Sequence, residues 1–195
     1  MHPWLAAFVA LGAGVTLAPR SYATPSGLNN IPTADTPPHR VVAVQEINTL
    51  GPDRVPDFTA GFKMGLTPLT AFDKELDWNK FEWGLDGHLA PDDAGPAVFQ
   101  AKYAVQPWKK WPTLAGGAAN IAVTDEDRAR VGEAFKYAVL SQDFKWLRGH
   151  VGYGWQLRND TVFFGLDKTF KVLDRDLMFR TDAIQIQGGN QWLAS

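Results

Sequence analysis

The chain has 195 residues, with 19 Lys and Arg against 21 Asp and Glu, no cysteine and a mean hydropathy of −0.20. Without cysteine there is neither a disulfide nor a thiolate metal site, and a slightly acidic chain with no basic run is not built for nucleic acid. The hydropathy is low for a helical membrane protein but ordinary for a membrane β-barrel, whose lipid-facing and lumen-facing residues alternate and cancel.

Trp4 to Ala18 is apolar apart from Thr16. That run is short for a spanning helix and suits the core of a signal peptide, and Ser21-Tyr22-Ala23 places small residues where a signal peptidase needs them. The reading is a signal peptide over 1–23, cut after Ala23, then a Pro-rich lead segment over 24–39 and a β-domain over 40–195. Met1 and His2, ahead of the apolar run, carry no Lys or Arg, which departs from the usual signal.

From Phe58 onward apolar residues alternate with small or polar ones. Phe58, Ala60, Phe62, Met64 and Leu66 alternate with Thr59, Gly61, Lys63 and Gly65. Phe81, Trp83, Leu85 and Leu89 oppose Lys80, Glu82, Gly84, Asp86 and His88. Ala97, Phe99, Ala101, Tyr103 and Val105 oppose Val98, Gln100, Lys102 and Ala104. Leu147, Val151, Tyr153, Trp155 and Leu157 oppose Arg148, His150, Gly152, Gly154, Gln156 and Arg158. Strand side chains point alternately to the two faces, so each run is a strand, and a tilted crossing of a bilayer takes roughly 9 to 11 residues.

Weaker runs lie at Arg40 to Thr49, Pro112 to Thr124, Glu133 to Ser141, Thr161 to Val172 and Leu177 to Gly188. In two of them Phe135, Tyr137 and Val139 oppose Lys136, and Phe164, Leu166 and Phe170 oppose Gly165, Asp167 and Thr169. Leu177 and Phe179 are out of phase with Ile184 and Ile186, which calls for a bulge or a mid-strand turn. Gly51-Pro52-Asp53, Ala90 to Pro96, Asp125-Glu126-Asp127, Asn159-Asp160 and Asp174-Arg175-Asp176 are turn clusters. The longest gap, Pro68 to Asn79, has room for one helical turn at Asp73 to Trp78. Short turns without helical crossovers make neighbours antiparallel. The expected fold is all-β: an antiparallel up-and-down meander of about 8–10 strands forming a transmembrane β-barrel, incomplete if the chain is cut short.

Volume decides which face points inward. Phe58, Phe62, Phe81, Trp83, Phe99, Tyr103, Phe135, Tyr137, Tyr153, Trp155, Phe164 and Phe170 would overfill a small barrel, whose interior ordinary side chains only just fill. The other face carries Gly61, Gly65, Gly84, Gly116, Gly152, Gly154 and Gly165, which suit a narrow interior. Phe81, Trp83, Leu85, Phe99, Tyr103, Tyr153 and Trp155 are therefore read as lipid-facing. Lys63, Lys80, Glu82, Asp86, His88, Lys102, Lys136, Arg148, His150, Arg158 and Asp167 are read as lumen-facing. Trp108, Trp111, Trp146 and Trp155 suit an interfacial girdle. The rival is a soluble two-sheet sandwich with the aromatic face inside.

Gly27-Leu28-Asn29-Asn30-Ile31-Pro32-Thr33-Ala34-Asp35, followed by Pro37-Pro38-His39, resembles the start of uncharacterised bacterial outer-membrane β-barrel proteins, which open with a Gly-Leu-x-x-Ile-Pro-Thr-Ala-Asp-like segment after the signal peptide. The resemblance implies the bacterial outer membrane, reached by export across the inner membrane, and brings no catalytic residues. Many such barrels end in a strand with a terminal aromatic residue. This chain ends Gln191-Trp192-Leu193-Ala194-Ser195, the first residues of a further strand, so an open or poorly sealed sheet is expected, or a chain that closes only through another copy.

Chemistry is sparse. Asp86 and His88 share a face about 7 Å apart, and His150 lies on the polar face of another strand, but no nucleophile is evident beside them. Ala115-Gly116-Gly117-Ala118 lacks the Lys-Ser/Thr of a phosphate loop. No metal site, cofactor or enzymatic activity is expected. The partners are the lipid bilayer and small solutes, with the oligomeric state open. The leading function is a structural or passive, porin-like transport role. The alternatives are a soluble periplasmic or secreted β-domain binding an apolar ligand, and an outer-membrane hydrolase.

Overall fold

The computed structural model of the chain describes residues 27–28, 31–49, 57–66, 79–89, 94–108, 110–156, 159–173, 175–185 and 192–194. The expected signal peptide, the gap after Leu66 with its expected helical turn, and Arg158 lie outside these residues. The strands are β1 Val42–Thr49, β2 Asp57–Leu66, β3 Asn79–Leu89, β4 Ala94–Val105, β5 Thr113–Ala122, β6 Phe135–Asp143, β7 Arg148–Gln156, β8 Asn159–Val172, β9 Arg175–Gln185 and β10 Trp192–Ala194. They form one sheet in sequence order, each strand antiparallel to the next. Nine strands have eight or more residues, and β10 is a stub of three.

The expected meander is present, but the sheet is not closed into a barrel. Among the described residues β1 meets only β2, and β10 pairs only with β9. The sheet nonetheless curls far enough for Val41 and Ala43, beside and within β1, to line the same cavity as Thr169 and Met178 of β8 and β9.

Asp125–Val131, expected within a turn, forms a two-turn helix, α1. Thr124 caps it: its hydroxyl accepts from the Asp127 N–H at 3.1 Å, and the Asp127 carboxylate accepts in return from the Thr124 N–H at 3.1 Å. Such a capping box satisfies backbone donors that would otherwise be orphaned at the helix start. The Thr124 hydroxyl also holds the Asp127 carboxyl below the usual carboxylate range. α1 is a loop element between β5 and β6 rather than a crossover.

The phase break in β9 has a simpler cause than a bulge, since its register against β8 is continuous from Phe163↔Ile184 to Val172↔Arg175. β7 begins at Arg148, opposite Asp167 of β8. Beyond that point the β8–β9 hairpin stands clear of its neighbour and both its faces are exposed, so alternation carries no burial signal there.

Register converts the sheet into rows of side chains, because directly opposed residues share a face. One outer row runs Val105, Leu114, Leu140, Val151, Phe164. Another runs Phe81, Tyr103, Gly116, Ala138, Tyr153, Val162. The inner rows mix large and small residues: Glu82, Lys102, Gly117, Tyr137, Gly154, Thr161 in one, and Ala104, Ala115, Val139, Gly152, Phe163 in the next.

This alternation corrects the assignment of β6. Lys136 is not interior but exposed on the outer face beside Trp155, and Phe135, Tyr137 and Val139 point inward. The flanking glycines explain why. A Cβ on Gly117 would stand 2.6 Å from the Ala101 carbonyl oxygen and 2.8 Å from the Tyr137 ring, and one on Gly154 would collide with the Phe135 ring. The glycines leave the room that these aromatics fill.

Candidate functional site

The interior is occupied by residues of the Pro-rich lead segment, to which the sequence reading gave no place in the fold. Leu28, Ile31, Thr33 and Ala34 are buried, Ile31 completely, and Leu28, Ile31 and Ala34 join Ala104, Ala115, Tyr137, Val139 and Phe163 in one apolar cluster. Gly165 provides the seat, since a Cβ there would meet Ile31 Cδ1 at 2.8 Å and Leu28 Cδ1 closer still. Three polar ties hold the plug. Lys102 Nζ donates to the Thr33 carbonyl oxygen at 3.1 Å, the Ala34 N–H donates to Ser141 Oγ at 2.9 Å, and Arg148 Nη1 pairs with Asp35 Oδ1. Burial pushes the Asp35 carboxyl up. The charge and hydrogen bond of Arg148, aided by the Thr33 hydroxyl, outweigh that and hold it below the ordinary value of 3.8.

Around the plug lie buried charges. Glu82, Asp86 and Lys102 are each 1% exposed and Lys63 is 6% exposed. Lys102 Nζ lies 3.2 Å from Glu82 Oε2, an ion pair with both side chains out of water. Asp86 accepts from Gln45 Nε2 at 2.9 Å and from Gln100 Nε2 at 2.8 Å, so its partners are glutamines on β1 and β4. His88 sits where the β3–β4 register shifts, opposite Thr59. Lys80 belongs to the inner row by parity but stands at the strand end and is exposed. Of the proposed lumen set, the structure thus brings Lys63, Glu82, Asp86 and Lys102 together, and separately Arg148, His150 and Asp167.

The second group contains the residue that sequence reasoning missed. Ser141 is directly opposite His150 across the β6–β7 hairpin, with Oγ 2.8 Å from Nδ1. On the other side of the ring, Nε2 lies 2.7 Å from Asp167 Oδ2 on β8. Gly165 is the residue opposite His150 on β8, so no side chain there competes for the ring. Arg148, two residues along the same face of β7, bonds Asp35 and lies 3.1 Å from Asp143 Oδ1. Hairpin register was the signal that could have paired Ser141 with His150. A cavity of about 720 Å³ borders this cluster, lined by Thr33, Asp35, Arg148 and Asp167 and also by Val41, Leu147 and Met178. No group of three His, Asp or Glu among the described residues is placed to hold a metal ion.

Of the residues read as lipid-facing, Leu85, Tyr103, Tyr153 and Trp155 are exposed, and Phe81, Trp83 and Phe99 are partly covered by neighbours on the same face, Trp83 stacking on Phe99 at 6.3 Å. Trp108 and Trp111, 4.6 Å apart in the β4–β5 turn, and Trp146 in the β6–β7 turn are exposed at the same end of the sheet. Compared with known protein families, with curated proteins and with solved structures, the chain matches none.

Proposed function

We propose that this chain is an outer-membrane β-sheet protein with a lipid-facing apolar exterior and a stoppered interior, whose role is structural rather than that of an open pore. The observation that carries the reading is the inversion of burial. Glu82 and Lys102 are 1% exposed while Val151 and Phe164 are 52% and 50% exposed, in continuous apolar rows. Soluble proteins rarely expose contiguous apolar surface and seldom bury charges in this way, whereas a membrane barrel does both. Tryptophans gathered at one end suit the headgroup region. Ile31 and Thr33 fill the space that passive transport would use.

Unpaired strand edges in lipid cost several kcal/mol for each unsatisfied group. The edges flanking the shared cavity are therefore driven to meet in a bilayer, which completes the enclosure. Refolding from urea with and without lipid vesicles tests the reading. The expected outcome is folding only with lipid or detergent, and an unheated gel sample that runs ahead of a boiled one. A chain that stays folded, soluble and monomeric in plain buffer would overturn it.

A further inference from the structure

We propose that Ser141, His150 and Asp167 form a latent serine acyl-hydrolase centre, covered by the lead segment, for carboxylic esters that carry an acyl chain. The trio rests on geometry that does not depend on which face of the sheet meets lipid. The preference for an acyl chain does rest on the membrane reading.

Asp167, an acceptor when ionised, lies 2.7 Å from Nε2 of His150, and in the neutral ring a proton on that nitrogen leaves Nδ1 as the acceptor. Nδ1 faces the Ser141 hydroxyl at 2.8 Å. A hydroxyl, an imidazole and a carboxylate in that order are the arrangement that activates a serine, and it is recognised by geometry rather than by chain position. Either ring nitrogen can serve as the base when the other is held by a carboxylate. In this role Ser141 and His150 are catalytic and Asp167 is a positioning residue.

Access is what the resting structure withholds. Ser141 is 2% exposed, and its Oγ accepts the Ala34 N–H at 2.9 Å. Thr33 and Asp35, on either side of Ala34, line the cavity whose wall also includes Asp167 and Arg148. Residues 33–35 therefore stand between the cavity and the nucleophile. Departure of that segment uncovers Ser141 and releases Arg148 from Asp35 in the same step, leaving its guanidinium with Asp143, two residues from His150 along the same face of β7. Val41, Leu147 and Met178 on the cavity wall offer apolar surface for the chain of the ester.

In the reaction Ser141 Oγ bonds to the ester carbonyl carbon while its proton passes to Nδ1 of His150. The carbonyl oxygen carries the negative charge, which the Arg148 guanidinium, released from Asp35 but still paired with Asp143, partly offsets. The bond from carbon to the alcohol oxygen then breaks, and the alcohol leaves with the proton from His150. Water attacks the acyl-serine, gives its proton to His150, and the acid departs as Ser141 recovers its hydrogen. No oxidant, reductant or metal enters the balance.

The test is labelling of the full chain, folded in detergent micelles, by a long-chain alkyl fluorophosphonate, with the modified peptide located by mass spectrometry. The label is expected on Ser141, and Asp35→Ala, which cuts the tie to Arg148, should raise the rate about tenfold. Ser141→Ala should abolish it and His150→Gln should lower it by roughly 10² to 10⁴. Asp167→Asn should lower it too, with Asp167→Glu restoring part, a rescue that a purely structural carboxylate does not give. Absence of label on Ser141 in both the wild type and Asp35→Ala, with gel mobility showing both folded, overturns the proposal, as does labelling indifferent to His150. Label on Ser141 in a chain that folds without amphiphile would overturn the membrane reading and leave the catalytic one standing.

Discussion

Lys102→Met is the substitution that most directly interrogates the dry, charged interior. Lys102 and Glu82 side chains are 0% and 1% exposed and their charged atoms lie 3.2 Å apart. At an effective dielectric of about 20 that separation corresponds to about 5 kcal/mol of attraction, set against a desolvation cost of several kcal/mol per ion. The pair is thus close to balanced, but losing one member is not. Lys102→Met takes from Glu82 the cation 3.2 Å away and also removes the donor to the Thr33 carbonyl, for an expected loss of roughly 3 to 5 kcal/mol. Lys102→Met with Glu82→Leu removes both charges, fills similar volume, and should recover most of that loss. Urea titrations of the four proteins in lipid vesicles close the double-mutant cycle. If Lys102→Met costs less than about 1 kcal/mol, or the two changes simply add, the pair is hydrated and the interior assignment is wrong.

On the opposite face, Leu140→Arg near the middle of an outer row should cost roughly 2 to 4 kcal/mol in vesicles. A change within about 0.5 kcal/mol, normal for a water-exposed site, would argue against lipid there. Gly165→Leu should drive the lead segment from its seat, because even a Cβ there meets Ile31 Cδ1 at 2.8 Å; protease cleavage within residues 27–38 of the folded protein reports the release. Acid should loosen the same segment. Asp35 has a lowered carboxyl pKa in the folded state, so its contribution is complete above the ordinary value of 3.8 and disappears as pH falls through the lower folded value. Amide exchange at Ala34, corrected for intrinsic rate, should be flat from neutral pH down to about 3.8, rise as the pH falls from there to the lower folded value and level off below it, and Asp35→Asn should remove the dependence.

The strands were legible because one face of each had to be apolar and the other not, a local property of alternate residues. Phe81, Trp83 and Leu85 declare it in five residues. Tyr137 does not, since its ring is interior only because Gly117 and Gly154 are its neighbours on β5 and β7. That pairing exists in register, not in the β6 sequence. The lead segment was opaque for a related reason: the Ala34 to Ser141 bond spans 107 residues and the Asp35 to Arg148 pair spans 113. Nothing near Gly27 to Asp35 says what it fits. His150 stood out because it lies on the polar face of a strongly alternating strand, whereas nothing in the sequence around Ser141 marks it until the hairpin sets it opposite that ring.

Strand pairing and plug docking are separable, and deletion of residues 24–35 should show it. Every strand bonds to its sequence neighbour, and the ties from residues 33–35 to the sheet run through the side chains of Lys102, Ser141 and Arg148. The chain enters the interior beside the open edge, where His39 bridges Gly65 and Arg40 takes a left-handed turn with φ of 59° before β1 begins. The described residues up to Asp35 therefore withdraw without breaking a ladder. What is lost is the burial of Leu28 and Ile31, about 1.5 to 3 kcal/mol for each side chain. The shortened protein should keep its far-UV β signature and its gel shift in detergent while its urea midpoint in vesicles falls by the equivalent of about 3 to 6 kcal/mol. Failure of the strands to form would mean that the plug nucleates the sheet. An unchanged midpoint would mean that Leu28 and Ile31 are not held where the interior cluster places them.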